Sequence, residues 1–295
     1  MLWAFFTLLG AAGQVARNSL QRHLTPQLGA LGATLVRFLF GLPFALLFLA
    51  IALIVTGDEL PLATPSFLTW ITVGALTQIG ATALMLMTME RRSFVVTTAY
   101  LKSEPVMVAM MGVTLLGDHL SPLMAAAILL ATFGVVLISV KPRALEGSGW
   151  TPLLLGLSSA ALFAASAIGY RGAILALDRS DYLVPASFAL ATGLTLQTVL
   201  LFAWFGFLRR GVLVRVMAHW RPSLAAGFAG AAASQMWFLA FALATAASVR
   251  TLALVEVLFA QAVSRLVFRQ STTLREAAGI ALLVTSAILI VWAEP

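Results

Sequence analysis

Two glutamates lie deep in apolar sequence: Glu104 in YLKSEPVMVAMM and Glu256 in TLALVEVLFA. A carboxylate surrounded by hydrocarbon is costly unless it is paired, protonated or reached by water. Each glutamate therefore either binds a substrate ammonium group or a proton, or is a structural charge. In the structural case it pairs with Lys102 or Arg250, or caps an amide freed near Pro105. Lys102 is two residues from Glu104, so on a helix the two side chains leave on different faces. Its partner is expected across helices, unless its head reaches the interface. Arg37, six or seven residues into its own apolar stretch, suits a substrate carboxylate, although its stem is long enough to snorkel. Gln78 and Gln235 need hydrogen-bonding partners away from lipid, from another helix or from a substrate. Tyr100 and Trp237 could stack on a substrate and supply one polar group each, or could pack as ordinary membrane aromatics. Gln14 and Asn18 are four residues apart and share a helix face beside Arg17.

Other chemistries find no footing. Cysteine is absent, and the three histidines, His23, His119 and His219, fall near expected loops. No phosphate-binding loop, HExxH or GxSxG motif occurs. No catalytic residue, metal site or cofactor is expected, and neither is primary, nucleotide-driven transport. Asp118 is read as a helix N-cap.

The elements that must position these residues follow from composition. Of 295 residues 61% are apolar and 10% charged, with a mean hydropathy of +1.01. A soluble chain carries about 25% charged residues, so the chain reads as an all-α polytopic membrane protein. A membrane helix takes roughly 17–25 apolar residues. Ten spans are expected, over about 2–20, 30–55, 66–89, 93–116, 121–140, 150–177, 182–208, 223–246, 247–268 and 271–293. The first span is read as a span and not as a leader, because MLWAFFTLLGAAGQ has no positive start and no convincing cleavage site. Gln78, Thr82, Met85 and Met89 form a stripe on the third span, and Gln261 lies on the ninth. Small residues at Ala127 and Ala131 permit close helix contact.

Glu104 and Glu256 stand 152 residues apart, and the same ungapped offset aligns Ala127 with Gly279 and Ile128 with Ile280. With the polar connector 141–150 (KPRALEGSGW), this predicts two five-helix repeats, 1–146 and 147–295. An odd number of spans in each makes them inverted. The net charge of +7 reads as loops facing anionic lipid and not as nucleic-acid binding. Most arginines and lysines fall in alternate connections, leaving only Arg171, Arg179 and Arg250 in the others. That asymmetry places both termini in the periplasm.

Glu104-Pro105, LLGDHLSP (115–122) and the Gly134-Val-Val-Leu-Ile tail resemble the drug/metabolite transporter superfamily, in its EamA-like branch of ten-helix carriers. Asp118 stands where that family has glutamate. Val257 follows the second glutamate where proline is common, and Phe268-Arg269-Gln270 replaces the second LGE turn. The resemblance implies a carrier of amino acids, other metabolites or drugs in the bacterial inner membrane, with the amino-acid exporter type among its members. It also implies a central cavity flanked by the fifth and tenth spans, and cytoplasmic termini, against the charge count.

The sequence reading is therefore a secondary transporter or facilitator and not an enzyme. It moves small amino acids or related neutral metabolites, in the export direction, by alternating access. Its expected substrate-binding residues are Gln14, Asn18, Arg37, Gln78, Tyr100, Glu104, Gln235, Trp237 and Glu256, with Met85 and Met89 as an adaptable apolar wall. A proton-coupled exporter of lipophilic cations is the alternative, and a membrane-embedded enzyme or scaffold is the alternative of another class. Expected partners are the small-molecule substrate and membrane lipids, with protons as coupling ion left open and no nucleic acid. A monomer suffices, and a dimer stays open.

Overall fold

A computed structural model describes residues 1–91, 97, 100–139, 150–179, 181–259 and 273–294, without the side chains of Arg22, Glu90, Arg91 and Ser139. The connector 141–149, with the expected domain boundary at 146/147, lies outside the described residues, as do Gln261 and Phe268-Arg269-Gln270. Eleven helices are described: α1 (Leu2–Leu39), α2 (Leu42–Thr56), α3 (Pro65–Arg91), α4 (Glu104–Met111), α5 (Pro122–Ser139), α6 (Trp150–Leu175), α7 (Leu183–Leu208), α8 (Arg210–Ala218), α9 (Trp220–Leu243), α10 (Ala246–Leu252) and α11 (Leu274–Ala293). A π-helical turn, Gly112–Leu116, extends α4, and a 3₁₀ turn, Ala253–Val255, extends α10.

The all-α polytopic membrane class stands; ten spans in two inverted five-helix repeats do not. Among the described residues six helical stretches are long and apolar enough to cross a membrane. They are His23–Thr56, Pro65–Met89, Trp150–Leu175, Leu183–Leu208, Trp220–Leu243 and Leu274–Ala293. Two of these precede the expected boundary and four follow it, so no clear two-fold repeat emerges. The physical reasons lie in the missing spans. The start of α1 carries Gln14, Arg17, Asn18 and Gln21. The segment with Glu104 is broken by a turn at Lys102-Ser103, between helical Tyr100-Leu101 and the helix that starts at Glu104. The apolar helix Pro122–Ile138 is short. The segment with Glu256 is a seven-residue helix that tightens into the 3₁₀ turn before helix resumes over 256–259.

Breaks in the helices follow local chemistry. In α1 Pro26 removes a backbone donor, and Gly29 takes φ 72°, a conformation open to glycine. Between α1 and α2 the chain turns at Phe40-Gly41. A Cβ on Gly227 of α9 would sit 2.4 Å from the Phe40 carbonyl carbon, so only glycine admits this approach. Ser121, and not Asp118, caps α5: its Oγ accepts the Met124 N–H at 3.2 Å.

Packing is dominated by three helix pairs, α3 on α6, α1 on α9 and α5 on α11. The α3–α6 crossing runs through Gly74, Gly169 and Gly172; a Cβ on Gly169 would lie 2.6 Å from the Gly74 nitrogen. In α5–α11 Gly134 meets Gly279, and the Ser286 hydroxyl donates to the Ala127 carbonyl at 2.8 Å. Ala127 and Ala131 are buried. Small residues bring backbones together because apolar side chains gain little by leaving lipid for another helix. The outward faces carry exposed Leu47, Ile54, Leu129, Phe133, Val199 and Phe207, the surface that lipid solvates.

A Gly169→Val substitution should therefore push α6 off α3. Overpacking of this kind costs about 1–3 kcal/mol, and the expected outcome is a thermal midpoint in detergent lowered by several degrees, whereas Gly206→Ala, with nothing within 4 Å of its added Cβ, should change it little.

Candidate functional site

The two deep glutamates form crossed ion pairs. Lys102, in the turn before α4, pairs with Glu256 after α10. Arg250 on α10 reaches back, its Nε 3.0 Å from Glu104 Oε1 on α4. Both pairs therefore join the same two interrupted segments. The interruptions make this possible: a turn at Lys102-Ser103 sends Lys102 and Glu104 toward one neighbour, which a straight helix two residues apart would not do. All four side chains are 8–14% exposed.

Arg250 also lies over the Trp237 ring at 4.8 Å and the Phe241 ring at 5.5 Å. Those two rings stack on α9, centroids 6.5 Å apart. A guanidinium on an aromatic face and beside a carboxylate is doubly stabilised. Trp237 is buried, its edge against Gly10 of α1, and its indole Nε1 has no hydrogen-bond acceptor among the described residues.

Two further arginines complete the polar zone. Arg17 on α1 is buried and donates through Nε and Nη2 to Asn18 Oδ1, at 3.2 and 2.8 Å. It is close enough to Arg37, Arg250, Glu256 and Glu104 to interact with their charges. Arg37 is buried near the end of α1, with Nη1 donating to the Thr82 hydroxyl at 2.9 Å and Cζ 5.2 Å from the Phe38 ring.

Of the expected site residues, Asn18, Arg37, Glu104, Trp237 and Glu256 come together around this zone. The others are engaged elsewhere. Gln78 Oε1 accepts from Tyr170 OH at 2.7 Å and from Gln197 Nε2 at 2.9 Å, a neutral network tying α3, α6 and α7. Gln235 Nε2 donates to Ser187 Oγ at 2.9 Å, tying α9 to α7. The Tyr100 ring lies on Gly156 of α6. Gln14 is half-buried and makes no hydrogen bond among the described residues. Met85 packs in a core with Ala30, Ala33, Leu86 and Phe163, with Met89 against its side, so the methionine stripe serves the α1–α3 contact. Sequence reasoning passed over Arg17, Arg250 and Tyr170 as site members. An arginine three residues after Gln14 on a shared face, and one six residues before Glu256, were the available signals.

Asp118 has a different role from the one expected. Its Oδ1 lies 3.4 Å from Arg171 Nη2, and Arg171 Nη1 donates to the Phe241 carbonyl at 2.8 Å and to the Ala244 carbonyl. Arg171 thus closes the C-terminus of α9, where the macrodipole favours a cation. At the same corner Glu294 accepts from the Thr245 N–H at 2.6 Å, the Thr245 hydroxyl at 3.1 Å and the Ser248 hydroxyl, fastening the start of α10.

A model of the EamA-like transporter family matches residues 1–140, just under half of the chain. The expected ten-helix carrier is corrected accordingly: the match covers the N-terminal half, and six candidate spans are described. No curated protein sequence matches. A solved structure, described only as the crystal structure of a protein, superposes with a TM-score of 0.68 at 16% identity, over 99% of this chain and 96% of its own. That likeness shows a shared fold across the whole length. The chain is consistent with a polytopic membrane transporter.

Removing one partner of a buried pair strands the other. Glu256→Ala should cost about 3–5 kcal/mol, read as a lowered unfolding midpoint in detergent. Lys102→Glu combined with Glu256→Lys should recover much of that loss; equal damage in single and double variants would show that the pair does not act as one.

Proposed function

We propose that this protein is a secondary carrier or facilitator that moves small polar metabolites, amino acids among them, across the bacterial inner membrane by alternating access. The observation that carries the reading is the pair of crossed ion contacts between two interrupted helices. Interrupted helices and intramembrane charges are the devices with which carriers build solute sites and moving parts. Short segments such as α4 and α10 shift with fewer broken backbone bonds than straight spans. The likeness of residues 1–140 to a transporter family supports the same reading, and the sequence holds no hydrolytic or nucleotide motif that would favour an enzyme.

In this reading Arg37, Glu104, Trp237 and Glu256 border the solute path, with Asn18 bracing Arg17. Gln78, Gln235 and Tyr100 hold the helices that frame it. The lipophilic-cation alternative is disfavoured because a cation needs an available carboxylate, and Glu104 and Glu256 each already face a basic side chain.

Purified protein in proteoliposomes should exchange labelled small amino acids or related metabolites in counterflow. Trp237→Ala removes the cation–π support of Arg250, worth about 2 kcal/mol when desolvated, and should lower the rate about tenfold or more with the protein still folded. Tyr100→Phe should leave it nearly unchanged. Transport of a lipophilic cation alone, abolished by Glu104→Gln, would replace this reading with the drug-export one.

A further inference from the structure

Among the described residues the charges of the polar zone do not balance. Lys102 and Arg250 are matched by Glu256 and Glu104. Arg17 and Arg37 remain, 3% and 4% exposed, and their polar partners among the described residues are the neutral Asn18 amide and Thr82 hydroxyl. A guanidinium stays protonated under all ordinary conditions and carries five N–H donors in a rigid fork. The contacts of Arg17 engage Nε and Nη2, and that of Arg37 engages Nη1. Most of the remaining N–H groups have no acceptor among the described residues.

The two stems also converge. A Cβ on Gly230 of α9 would lie 3.5 Å from Arg17 Cδ and 3.6 Å from Arg37 Cγ. Both arginines therefore lean on the same glycine from α1, one from each side of the Gly29 break. Two buried cations held near one another repel, and the separation grows more unfavourable as water is excluded. The arrangement is electrostatically incomplete until an anion enters it. A carboxylate fits best, since it accepts in the bidentate geometry that a guanidinium presents.

We propose that Arg17 and Arg37, flanking Gly230, receive the carboxylate of a solute that bears a net negative charge, so that among small polar metabolites an organic acid anion is carried in preference to a neutral zwitterion. The proposal rests on the carrier reading above and narrows its substrate class. A zwitterion would need a carboxylate for its ammonium group, and Glu256 is paired with Lys102 while Glu104 already faces Arg250, in a charge contact without hydrogen-bond geometry. An anion needs no such partner. Its negative charge also completes the ledger of the zone without disturbing either crossed pair.

The test uses two readouts on the intact protein. Thermal unfolding in detergent measures binding of succinate, lactate, alanine and tetraphenylphosphonium at millimolar concentration. Uptake of the same four labelled compounds is measured in phosphatidylcholine vesicles, which carry no anionic lipid that could occupy the arginines. Succinate or lactate should raise the unfolding midpoint and enter at least tenfold faster than alanine, and an inside-positive potential should accelerate entry. Arg17→Gln and Arg37→Gln should each lose both effects. Arg17→Lys and Arg37→Lys keep the charge without the fork and should retain part of the binding, which guards against loss through misfolding. Binding of the acids with no uptake would uphold the anion site and remove the carrier reading. Uptake of alanine alone, unaffected by the glutamine variants, would overturn the anion site and leave the carrier. If stabilisation by the acids appears only in vesicles or micelles doped with anionic lipid, or if no compound binds or moves, the proposal falls.

Discussion

A charge buried among helices must meet an opposite charge, and that requirement shapes the centre of this protein. Four ionised side chains lie where water is scarce, and each is neutralised by one from the opposite segment. The helices cannot stay regular and still deliver them. Lys102 and Glu104 point to one neighbour across a turn at Lys102-Ser103, and Glu256 follows a 3₁₀ turn on the segment that carries Arg250. Broken secondary structure here is the means by which charge is paired. It is tolerated because surrounding helices keep the freed backbone groups away from lipid.

Between α3, α6 and α7 the contacts are neutral and close. The α3–α6 crossing uses glycine against glycine and the Gln78–Tyr170–Gln197 network. Gln197 Nε2 also reaches the Ala75 carbonyl at 3.1 Å. Such contacts fix distance and register but carry no net charge, so they respond weakly to an arriving ion. The α3–α6–α7 contacts are thus neutral, whereas the energy of the polar zone depends on what charge is present.

The sequence made the class and the polar centre legible, for reasons particular to each residue. Composition alone settled the membrane environment. Glu104 and Glu256 stood out because hydrocarbon tolerates few carboxylates, and Lys102 and Arg250 were already candidate partners. Span count was less legible. Hydropathy cannot tell an apolar run that is one helix from one broken at Ser103 or Ala253, and it overlooks that Gln14, Arg17 and Asn18 weaken the first run. Polar side chains were visible but their partners were not. Gln78 and Gln235 read equally as substrate or helix contacts, and only the placement of Tyr170, Gln197 and Ser187 separates the two. Asp118 looked like a cap from its position before α5, yet its partner Arg171 is 53 residues away, beyond any local rule.

The corner between α9 and α10 has a mechanical meaning. Arg171 holds the last carbonyls of α9, and Glu294 holds Thr245 and Ser248 at the start of α10. That corner would serve as the fulcrum of any tilt of α10 with its 3₁₀ extension. At about 1.5 Å of rise per residue, Arg250 stands roughly 7 Å from the pinned Thr245 and Glu256 more than twice as far. Any tilt of this segment carries Glu256 through the longer arc. Such a tilt would displace the Lys102–Glu256 contact further than the contacts of Arg250 with Glu104 and Trp237.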